Sequence, residues 1–292
     1  MKWLLFGGSG QVGRSLAVLL ENFQDEVLVP TRTDIDLSNS KELHEFITGF
    51  EPDVVVNAAA WTDVPGAESL KNQQAVEEIN SNFPAILARL LNDSDAKLIH
   101  LSTDYVFGGS RDIPWLEEDI TSPLNAYGKS KLSGEQAILE IGNSSPLILR
   151  TGWVYSPYGT NFVKKIIRKL IKSNDQLSVV NDQVGQPTSA TEIGRAIIDA
   201  VNEDLEGGVY HYSSSGKTTW YGLACEIASH LGLDSSRINP ILTRELNDPV
   251  TRPEFSVLSH NKWIDHGMRT PADWRETLDL EFPQILLMTE EE

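Results

Sequence analysis

The stretch "LLFGGSGQVGRSL", residues 4–16, decides the fold. Three of its glycines stand at G-x-x-G-x-x-G spacing between an apolar run and a helical pattern. Glycine here permits a tight turn from strand to helix and close approach of the backbone to a pyrophosphate, which the N–H groups at the helix start attract. Between a strand and a helix the motif predicts a dinucleotide site, and a plain glycine turn is the alternative. The predicted cofactor contacts in this turn are Gly7, Gly10, Gln11, Val12 and Gly13.

Outward from this turn, short apolar runs alternate with helical stretches. The runs are almost continuously hydrophobic, which is typical of parallel strands covered by helices on both faces. The sequence therefore predicts an α/β fold with a doubly wound parallel sheet, followed after residue 150 by a smaller, partly interleaved lid. Strands are predicted at Lys2–Phe6, Glu26–Val29, Asp53–Asn57, Lys97–Ser102 and Pro146–Arg150, with helices at 11–22, 40–49, 72–92 and 125–141.

Composition narrows the class of partner. The formal charge of −18, from 24 Lys and Arg against 42 Asp and Glu, opposes binding to nucleic acid or to an anionic membrane surface. A small anionic ligand is still compatible, because helix amides and local cations can hold a phosphate. Cys225 is the only cysteine, which excludes an intramolecular disulfide. The sequence shows neither a signal-peptide core nor an apolar run of about 18 residues, so a cytoplasmic protein is expected.

The ends of the second and third strands supply further cofactor contacts. In "LVPTRTD", residues 28–34, no carboxylate stands where a ribose 2′-hydroxyl is bound, whereas Arg32 is suited to a 2′-phosphate. NADPH is therefore favoured, with NADH still possible, and a solvated surface arginine is the alternative. Asp36 and Leu37 are expected beside the adenine. Small residues end the third strand, either for a ligand or for tight helix packing: Ala58, Ala59 and Ala60.

Two segments place proton-transfer groups at the same sheet edge. "HLSTDYVFGG" puts Thr103 and Asp104 at the end of the fourth strand, and "LNAYGKSKLSGE" puts Tyr127 and Lys131 on one helical face. An ammonium about 4 Å from a phenol, at an effective dielectric of about 20, favours the phenolate by on the order of 4 kcal/mol, so we expect a lowered Tyr127 pKa. This pattern predicts that Tyr127 transfers a proton, Lys131 tunes it and Thr103 positions the reacting oxygen. An exposed cation resting on a ring is the alternative.

These motifs resemble the extended branch of the short-chain dehydrogenase/reductase superfamily, which has a Rossmann-type fold. The phrases "STDYVFGG", "RTGWVY", "LSVVNDQVGQPTSA" and "TRPEFSVL" are similar to its dTDP-4-dehydrorhamnose reductase family over nearly the whole chain. The resemblance implies NAD(P)H-dependent reduction of the C4 ketone of dTDP-4-dehydro-6-deoxy-L-mannose, the last step toward dTDP-L-rhamnose for cell-surface polysaccharide. It makes Thr103, Tyr127 and Lys131 the catalytic set, with Lys131 also holding the nicotinamide ribose.

The resemblance also implies a dTDP-sugar site and a division into domains. A dinucleotide-binding domain is expected at 1–152, with a return at about 177–214, and a substrate-binding domain at 153–176 and 215–292. For the aromatic members of the substrate set, core packing is the alternative. The implied substrate contacts are Thr103, Asp104, Trp153, Asn161, Phe162, Gln183 and Arg252.

Metal binding and assembly depart from the family pattern. Some members hold Mg²⁺ with glutamates at a dimer interface, whereas Ser15 and Thr191 stand at the matching positions here and Glu192 is one residue away. No metal ligand is assigned, and Mg²⁺ dependence and a homodimer stay open. Two other functions compete: another nucleotide-sugar reductase or epimerase of the same branch, and a non-catalytic regulatory subunit like the beta subunit of methionine adenosyltransferase. The intact Thr103, Tyr127 and Lys131 favour an enzyme.

Overall fold

A computed structural model describes residues 1–109, 111–141, 146–246 and 248–290 of the chain. Apolar, β-branched runs form its strands, and helices with an apolar stripe lie between them. The strands are β1 (Lys2–Phe6), β2 (Glu26–Leu28), β3 (Val54–Asn57), β4 (Lys97–Thr103), β5 (Leu147–Thr151), β6 (Val154–Tyr155), β7 (Leu177–Val180), β8 (Val184–Gly185), β9 (Thr188–Ser189), β10 (Gly208–His211), β11 (Thr218–Thr219) and β12 (Ile238–Ile241). The helices are α1 (Gln11–Leu20), α2 (Ser40–Phe50), α3 (Val64–Ala67), α4 (Gln73–Glu77), α5 (Phe83–Leu91), α6 (Ala126–Ile141), α7 (Phe162–Lys172), α8 (Ala190–Asn202), α9 (Trp220–His230), α10 (Asn261–Asp265) and α11 (Trp274–Glu290).

The centre of the molecule is a six-stranded parallel sheet in the order β10–β5–β4–β3–β1–β2. Alternate residues of β1 enter different cores, with Trp3 and Leu5 in the cluster that includes α1 and α8 and Leu4 and Phe6 in the cluster that includes α2 and α5. This alternation follows from the two-residue period of a strand. The predicted doubly wound sheet is confirmed, and the strand order reverses between β1 and β3, where such sheets bind ligands.

A second cluster of buried apolar residues joins α7, α9 and α11. Beside it, β7 pairs with β12. The predicted return to the first domain at about 177–214 therefore starts with a strand whose Val179 packs in the second cluster. Further along the chain, α8 packs in the first cluster with α1, and β10 pairs with β5. The division into two domains stays a prediction, and residues 291–292 lie outside the described ranges.

The predicted strands of residues 1–150 are present with ends that move by at most one residue. The predicted helix 72–92 is interrupted by a π-helical segment at Glu78–Asn82, a feature often found near functional sites. β12 was not predicted because Pro240 lies within it, and proline is tolerated only at a sheet edge such as this two-stranded pair. Within the described ranges, no helix combines the length and apolarity needed to cross a bilayer.

Candidate active site

The glycine turn packs directly onto the end of β3. Gly7 has φ of 84°, and the Gly10 N–H donates to the Gly7 carbonyl at 2.9 Å. A Cβ on Gly7 would lie 2.4 Å from the Ala59 nitrogen, and one on Gly13 would lie 2.3 Å from the Gly7 oxygen. A side chain at either position would collide with backbone, so the turn requires glycine. The cradle and the start of α1, which Gly10 cannot cap with a side chain, fit a dinucleotide pyrophosphate.

Gln11 links the glycine turn to the loop that precedes α7. Its Oε1 accepts hydrogen bonds from Ser156 Oγ at 3.2 Å and Asn161 Nδ2 at 2.9 Å. Asn161 Oδ1 in turn caps α7 by accepting from the Lys164 N–H. Val12 packs against the first core. The predicted ligand contacts of Gln11 and Asn161 stay predictions, but both side chains already hold the scaffold together.

The loop after β2 lies beside the same turn. A Cβ on Gly8 would lie 2.0 Å from Val29 Cγ1, and Arg32 follows in an exposed turn. Hydrogen bonds from Thr31 lower the pKa of Asp34, and those from Ser38 lower the pKa of Asp36. Both carboxylates thus have local donors, whereas the Arg32 guanidinium forms no hydrogen bond or ion pair within the described part of the chain. Leu37 packs against the core next to α2.

Ala58, Ala59 and Ala60 continue from β3 into the site. The Ala58 N–H donates to the Phe6 carbonyl at 2.9 Å, and the Ala59 N–H donates to Asn57 Oδ1 at 3.1 Å. All three alanines are partly exposed. Their backbone therefore forms the wall that faces the glycine turn.

Asn80, in the π-helical segment, clamps this wall to α6. Its Oδ1 accepts from the Trp61 N–H at 2.8 Å, and its Nδ2 donates to the Trp61 carbonyl and to Ser130 Oγ. The residue is completely buried. Its side chain therefore holds two walls of the site together.

The three predicted catalytic residues meet at the end of β4. Thr103 Oγ1 donates to Asp104 Oδ1 at 3.0 Å, and the Thr103 hydroxyl is close enough to the Tyr127 phenol to lower its pKa. Lys131 is buried, and its Nζ donates to the Leu101 carbonyl at 2.7 Å. Because α6 brings Tyr127 and Lys131 against this strand end, the hydroxyl, phenol and amine line one site.

The expected lowering of the Tyr127 pKa was wrong for this arrangement. Burial raises the pKa of Tyr127 to about 12, although the hydrogen bond with Thr103 opposes the rise. Burial also lowers the pKa of Lys131 to about 8, so its charge is reduced in the alkaline range. Lys131 Nζ is directed at the backbone of β4, and desolvation of the phenol outweighs attraction by the ammonium.

Tyr105 is a site residue that the sequence did not single out. Its ring lies edge-to-face against Tyr127 with centroids 5.9 Å apart, and burial raises the pKa of its hydroxyl while the nearby Arg252 opposes the rise. Arg252 also pairs with Asp248 at 2.5 Å. Tyr105 therefore lies between Tyr127 and Arg252, which is one of the predicted substrate contacts. The sequence feature that could have indicated Tyr105 is its position directly after Asp104.

Three predicted substrate contacts gather around a residue that sequence reasoning missed, Trp220. Trp153 has φ of 51° and stacks on Trp220 with centroids 3.4 Å apart, and Phe162 lies 4.6 Å from the same ring. Trp220 Nε1 donates to Gln183 Oε1 at 3.1 Å. Left-handed backbone is unfavourable for tryptophan, so the stack must offset this strain. Core packing and ligand contact are both compatible with this cluster.

Comparison with known proteins identifies the family. Residues 1–285 match the family model described as the RmlD substrate binding domain. The chain belongs to this family. It is 36% identical to the dTDP-4-keto-6-deoxy-D-glucose reductase of Streptomyces niveus, covering 97% of both chains. It is 39% identical to the dTDP-4-dehydrorhamnose reductase of Escherichia coli K12, covering 94% of this chain and 95% of the relative.

A crystal structure of the dTDP-4-dehydrorhamnose reductase of Bacillus anthracis in complex with NADP has the same fold as this RmlD family chain. The two have a TM-score of 0.91 and 30% identity, covering 97% of this chain and 99% of the other. The resemblance to dTDP-4-dehydrorhamnose reductases and the Rossmann-type fold are therefore confirmed. The individual site residues stay predictions, supported by the geometry above.

An open groove of about 580 Å³ beside the site of this RmlD family member is acidic. Among the described residues that line it are Asp112, Asp182 and Glu254, together with one cation, Arg111, which pairs with Asp119. Three carboxylates repel a diphosphate. The groove therefore does not suit the charged part of a nucleotide, which Arg252 suits better.

The positions that match the Mg²⁺ ligands of some family members, Ser15 and Thr191, carry no carboxylate, and the neighbouring Glu192 is engaged by arginines. Ser15 is buried, and Glu192 pairs with Arg195 and Arg269. Within the described ranges, one group has three side chains with metal-ligand geometry, Glu226, His230 and Asp279 at the surface. Its Glu226 pairs with Arg275. Neither set supplies a reason to assign a metal ligand.

Proposed function

We propose that this chain is an oxidoreductase that reduces the C4 ketone of dTDP-4-dehydro-6-deoxy-L-mannose to dTDP-L-rhamnose with NADPH, or with NADH. The observation that carries the proposal is the meeting of Thr103, Tyr127 and Lys131 at the end of β4, beside the glycine turn. The family and the names of its relatives support the same substrate class.

The chain's own residues account for proton delivery. A bound reduced nicotinamide supplies the hydride to C4. Tyr127 holds the proton at its hydroxyl, because a pKa of about 12 keeps the phenol protonated at neutral pH. The developing alkoxide takes this proton, while Thr103 donates to or accepts from the same oxygen and fixes its position.

Two arginines are suited to bind the phosphate groups of the cofactor and of the sugar nucleotide. Arg32 stands exposed after β2 and is proposed to bind the 2′-phosphate, which favours NADPH. The Bacillus anthracis relative was crystallised with NADP. Arg252, beside Tyr105, is proposed to bind the sugar-nucleotide diphosphate, with Trp153, Phe162 and Gln183 around the rest of the ligand.

A second substrate has specific support. The Streptomyces niveus relative is named for a dTDP-4-keto-6-deoxy-D-glucose, and its identity of 36% is close to the 39% of the Escherichia coli reductase. Both sugars present a C4 ketone to the same proton donor. The surrounding aromatic cluster, rather than Thr103 and Tyr127, must distinguish them.

The test follows NADPH and NADH oxidation by their near-ultraviolet absorbance with each of the two dTDP-sugars. We expect oxidation that requires dTDP-4-dehydro-6-deoxy-L-mannose and yields dTDP-L-rhamnose, and parallel reactions with EDTA decide whether Mg²⁺ is needed. Faster turnover of the glucose-derived ketone would assign the second substrate. Binding of cofactor without turnover of either sugar, together with copurification of an adenosyltransferase, would favour the regulatory-subunit function.

A further inference from the structure

A chain of hydrogen-bonded side chains ends on Trp220 in the aromatic cluster. Gln183 Oε1 accepts from Trp220 Nε1 at 3.1 Å, and Gln183 Nε2 donates to Thr243 Oγ1 at 3.0 Å. The Thr243 hydroxyl in turn donates to Asp182 Oδ1 at 2.6 Å. Gln183 is only 3% exposed, so both ends of its amide depend on these partners.

The groups at the two ends fix the direction of every bond in this chain. An indole N–H can only donate, and an ionised carboxylate can only accept. The Gln183 carbonyl must therefore face Trp220, and its NH₂ must face the Thr243 oxygen, whose own proton goes to Asp182. The Gln183 amide consequently has one favourable orientation, which holds the Trp220 ring in one position.

Trp220 in turn fixes the ring of Trp153. The two rings are parallel to within 1°, with centroids 3.4 Å apart. A Cβ on Gly185 of β8 would lie 2.3 Å from Trp153 Cε2, so glycine leaves the room that the indole occupies. Trp153 is thereby held with φ of 51°, a left-handed backbone that tryptophan does not favour. Strain of this kind persists where neighbouring groups over-determine a residue, most often at functional sites.

The sheet places Trp153 at the reaction centre. Thr151, two residues before it, is paired with Thr103 across β5 and β4. A Cβ on the intervening Gly152 would lie 2.4 Å from Asp104 Cγ. Trp153 therefore leaves the sheet at the edge that carries the catalytic set, and it is partly exposed there.

We propose that Trp220 is a positioning residue which, fixed by Gln183, holds the Trp153 indole beside the C6 methyl group of the 4-keto-6-deoxy sugar. This inference rests on the proposed function and deepens it, because it names the groups that select the sugar. An apolar ring favours a methyl group over a hydroxyl at the same place. Because the D and L series differ at C5, the two dTDP-sugars carry this methyl group on opposite faces of the sugar ring. An indole with a fixed plane therefore suits one of them.

The ring arrangement is tested without ligand by circular dichroism, because two stacked indoles give an exciton couplet in the far ultraviolet. Loss of the couplet in Trp220→Phe assigns it to this pair. We expect Gln183→Met, which has a similar length but neither amide group, to weaken the couplet. If that variant does not fold, Thr243→Val removes the acceptor of the Gln183 NH₂, with Thr243→Ser as the matched control that keeps the hydroxyl. A wild-type protein without the couplet, or a couplet that these losses leave unchanged, would overturn the inference.

The effect on selectivity is tested with a double-mutant cycle of Gln183→Met and Trp220→Phe. We expect each single variant to lower the ratio of kcat/KM for the two dTDP-sugars by about threefold to tenfold, the range for one hydrogen bond, with unchanged NADPH affinity. The double variant should be as selective as Trp220→Phe alone, because Gln183 acts through that ring.

Two outcomes of this cycle would contradict the positioning role. Additive losses would mean that Gln183 contacts the ligand itself, and a lower Tm with an unchanged ratio would mean that the stack only fills the core. If neither sugar is turned over, the proposed function fails, whereas the circular dichroism result without ligand still decides how the rings are held.

Discussion

Tyr127 is the residue whose loss separates chemistry from binding. Tyr127→Phe keeps the ring contact with Tyr105 but removes the transferable proton. We expect turnover to fall at least about a hundredfold, as for loss of a general acid, with unchanged cofactor affinity and circular dichroism. Tyr210→Phe, which removes a hydroxyl in the first core, is the control for phenol loss in general. Near-normal turnover of Tyr127→Phe would contradict the assigned role.

Arg32 is the residue on which cofactor choice depends. A guanidinium–phosphate contact contributes about 1.5–3 kcal/mol, so Arg32→Ala should weaken NADPH binding by roughly tenfold to a hundredfold. NADH, which lacks the 2′-phosphate, should bind as before. Titration of each cofactor by fluorescence checks this, with Lys41→Ala on α2 as the control for loss of an exposed cation. Equal weakening of both cofactors would remove the 2′-phosphate assignment.

Asp104 carries a stability cost that depends on pH. Burial raises its pKa from 3.8 to about 6, which corresponds to roughly 3 kcal/mol of destabilisation when it is ionised. The cost is absent below the unfolded pKa of 3.8, grows as pH rises, and is complete above about 6. Asp104→Asn should therefore raise the free energy of unfolding by about 1–3 kcal/mol at pH 7.5, less at pH 5. Urea denaturation at the two pH values measures the gain in unfolding free energy. Equal gains at both pH values would mean that the ionisation of Asp104 is not the cause.

At the scale of elements, the glycine turn gives the sharpest contrast. A Cβ on Gly13 would meet the Gly7 oxygen at 2.3 Å and the Gly8 Cα at 2.8 Å, whereas one on Gly49 of α2 would meet nothing within 4 Å. Gly13→Ala should cost about 1–3 kcal/mol and abolish cofactor binding, because backbone must move. Gly49→Ala should stabilise by up to about 1 kcal/mol. Thermal unfolding and cofactor titration of both variants test the turn, and intact binding in Gly13→Ala would refute the need for glycine.

The elements of the large sheet could be predicted from sequence, because their apolar runs are local patterns. Pairing of β7 with β12 could not, since it joins segments about sixty residues apart and one contains Pro240. The interruption at Glu78–Asn82 also left no signal in a helical pattern.

The site residues also fall into two groups, those that short sequence motifs predict and those that only the fold brings together. Gly7, Thr103, Tyr127 and Lys131 belong to short motifs, so sequence sufficed to select them. Trp220 owes its place to contacts with distant segments, as in its stack on Trp153 and its hydrogen bond to Gln183. The raised Tyr127 pKa depends on burial, which spacing along a helix does not reveal.

At the scale of the whole molecule, segments from the second half of the chain complete the sheet and the core of the first half. β10 completes the sheet beside β5, and α8 packs in the same core as α1. The buried Arg150–Glu135 pair lies close to this edge, where Arg150 Nη1 also approaches His211 Nε2 at 3.5 Å. Residues near the glycine turn are thus held by segments far along the chain, so the two halves should unfold together.

The charge of the whole molecule makes a last prediction. A net charge of −18 repels itself in the compact state, and screening relieves that repulsion. Raising the salt concentration from about 0.01 M to 0.1 M shortens the Debye length from about 30 Å to about 10 Å. We expect Tm to rise by a few degrees over this range in differential scanning fluorimetry, equally with NaCl and KCl. The buried pair of Arg150 and Glu135 is screened little, so it does not reverse the trend, and a Tm that falls with salt would mean that exposed ion pairs outweigh the net repulsion.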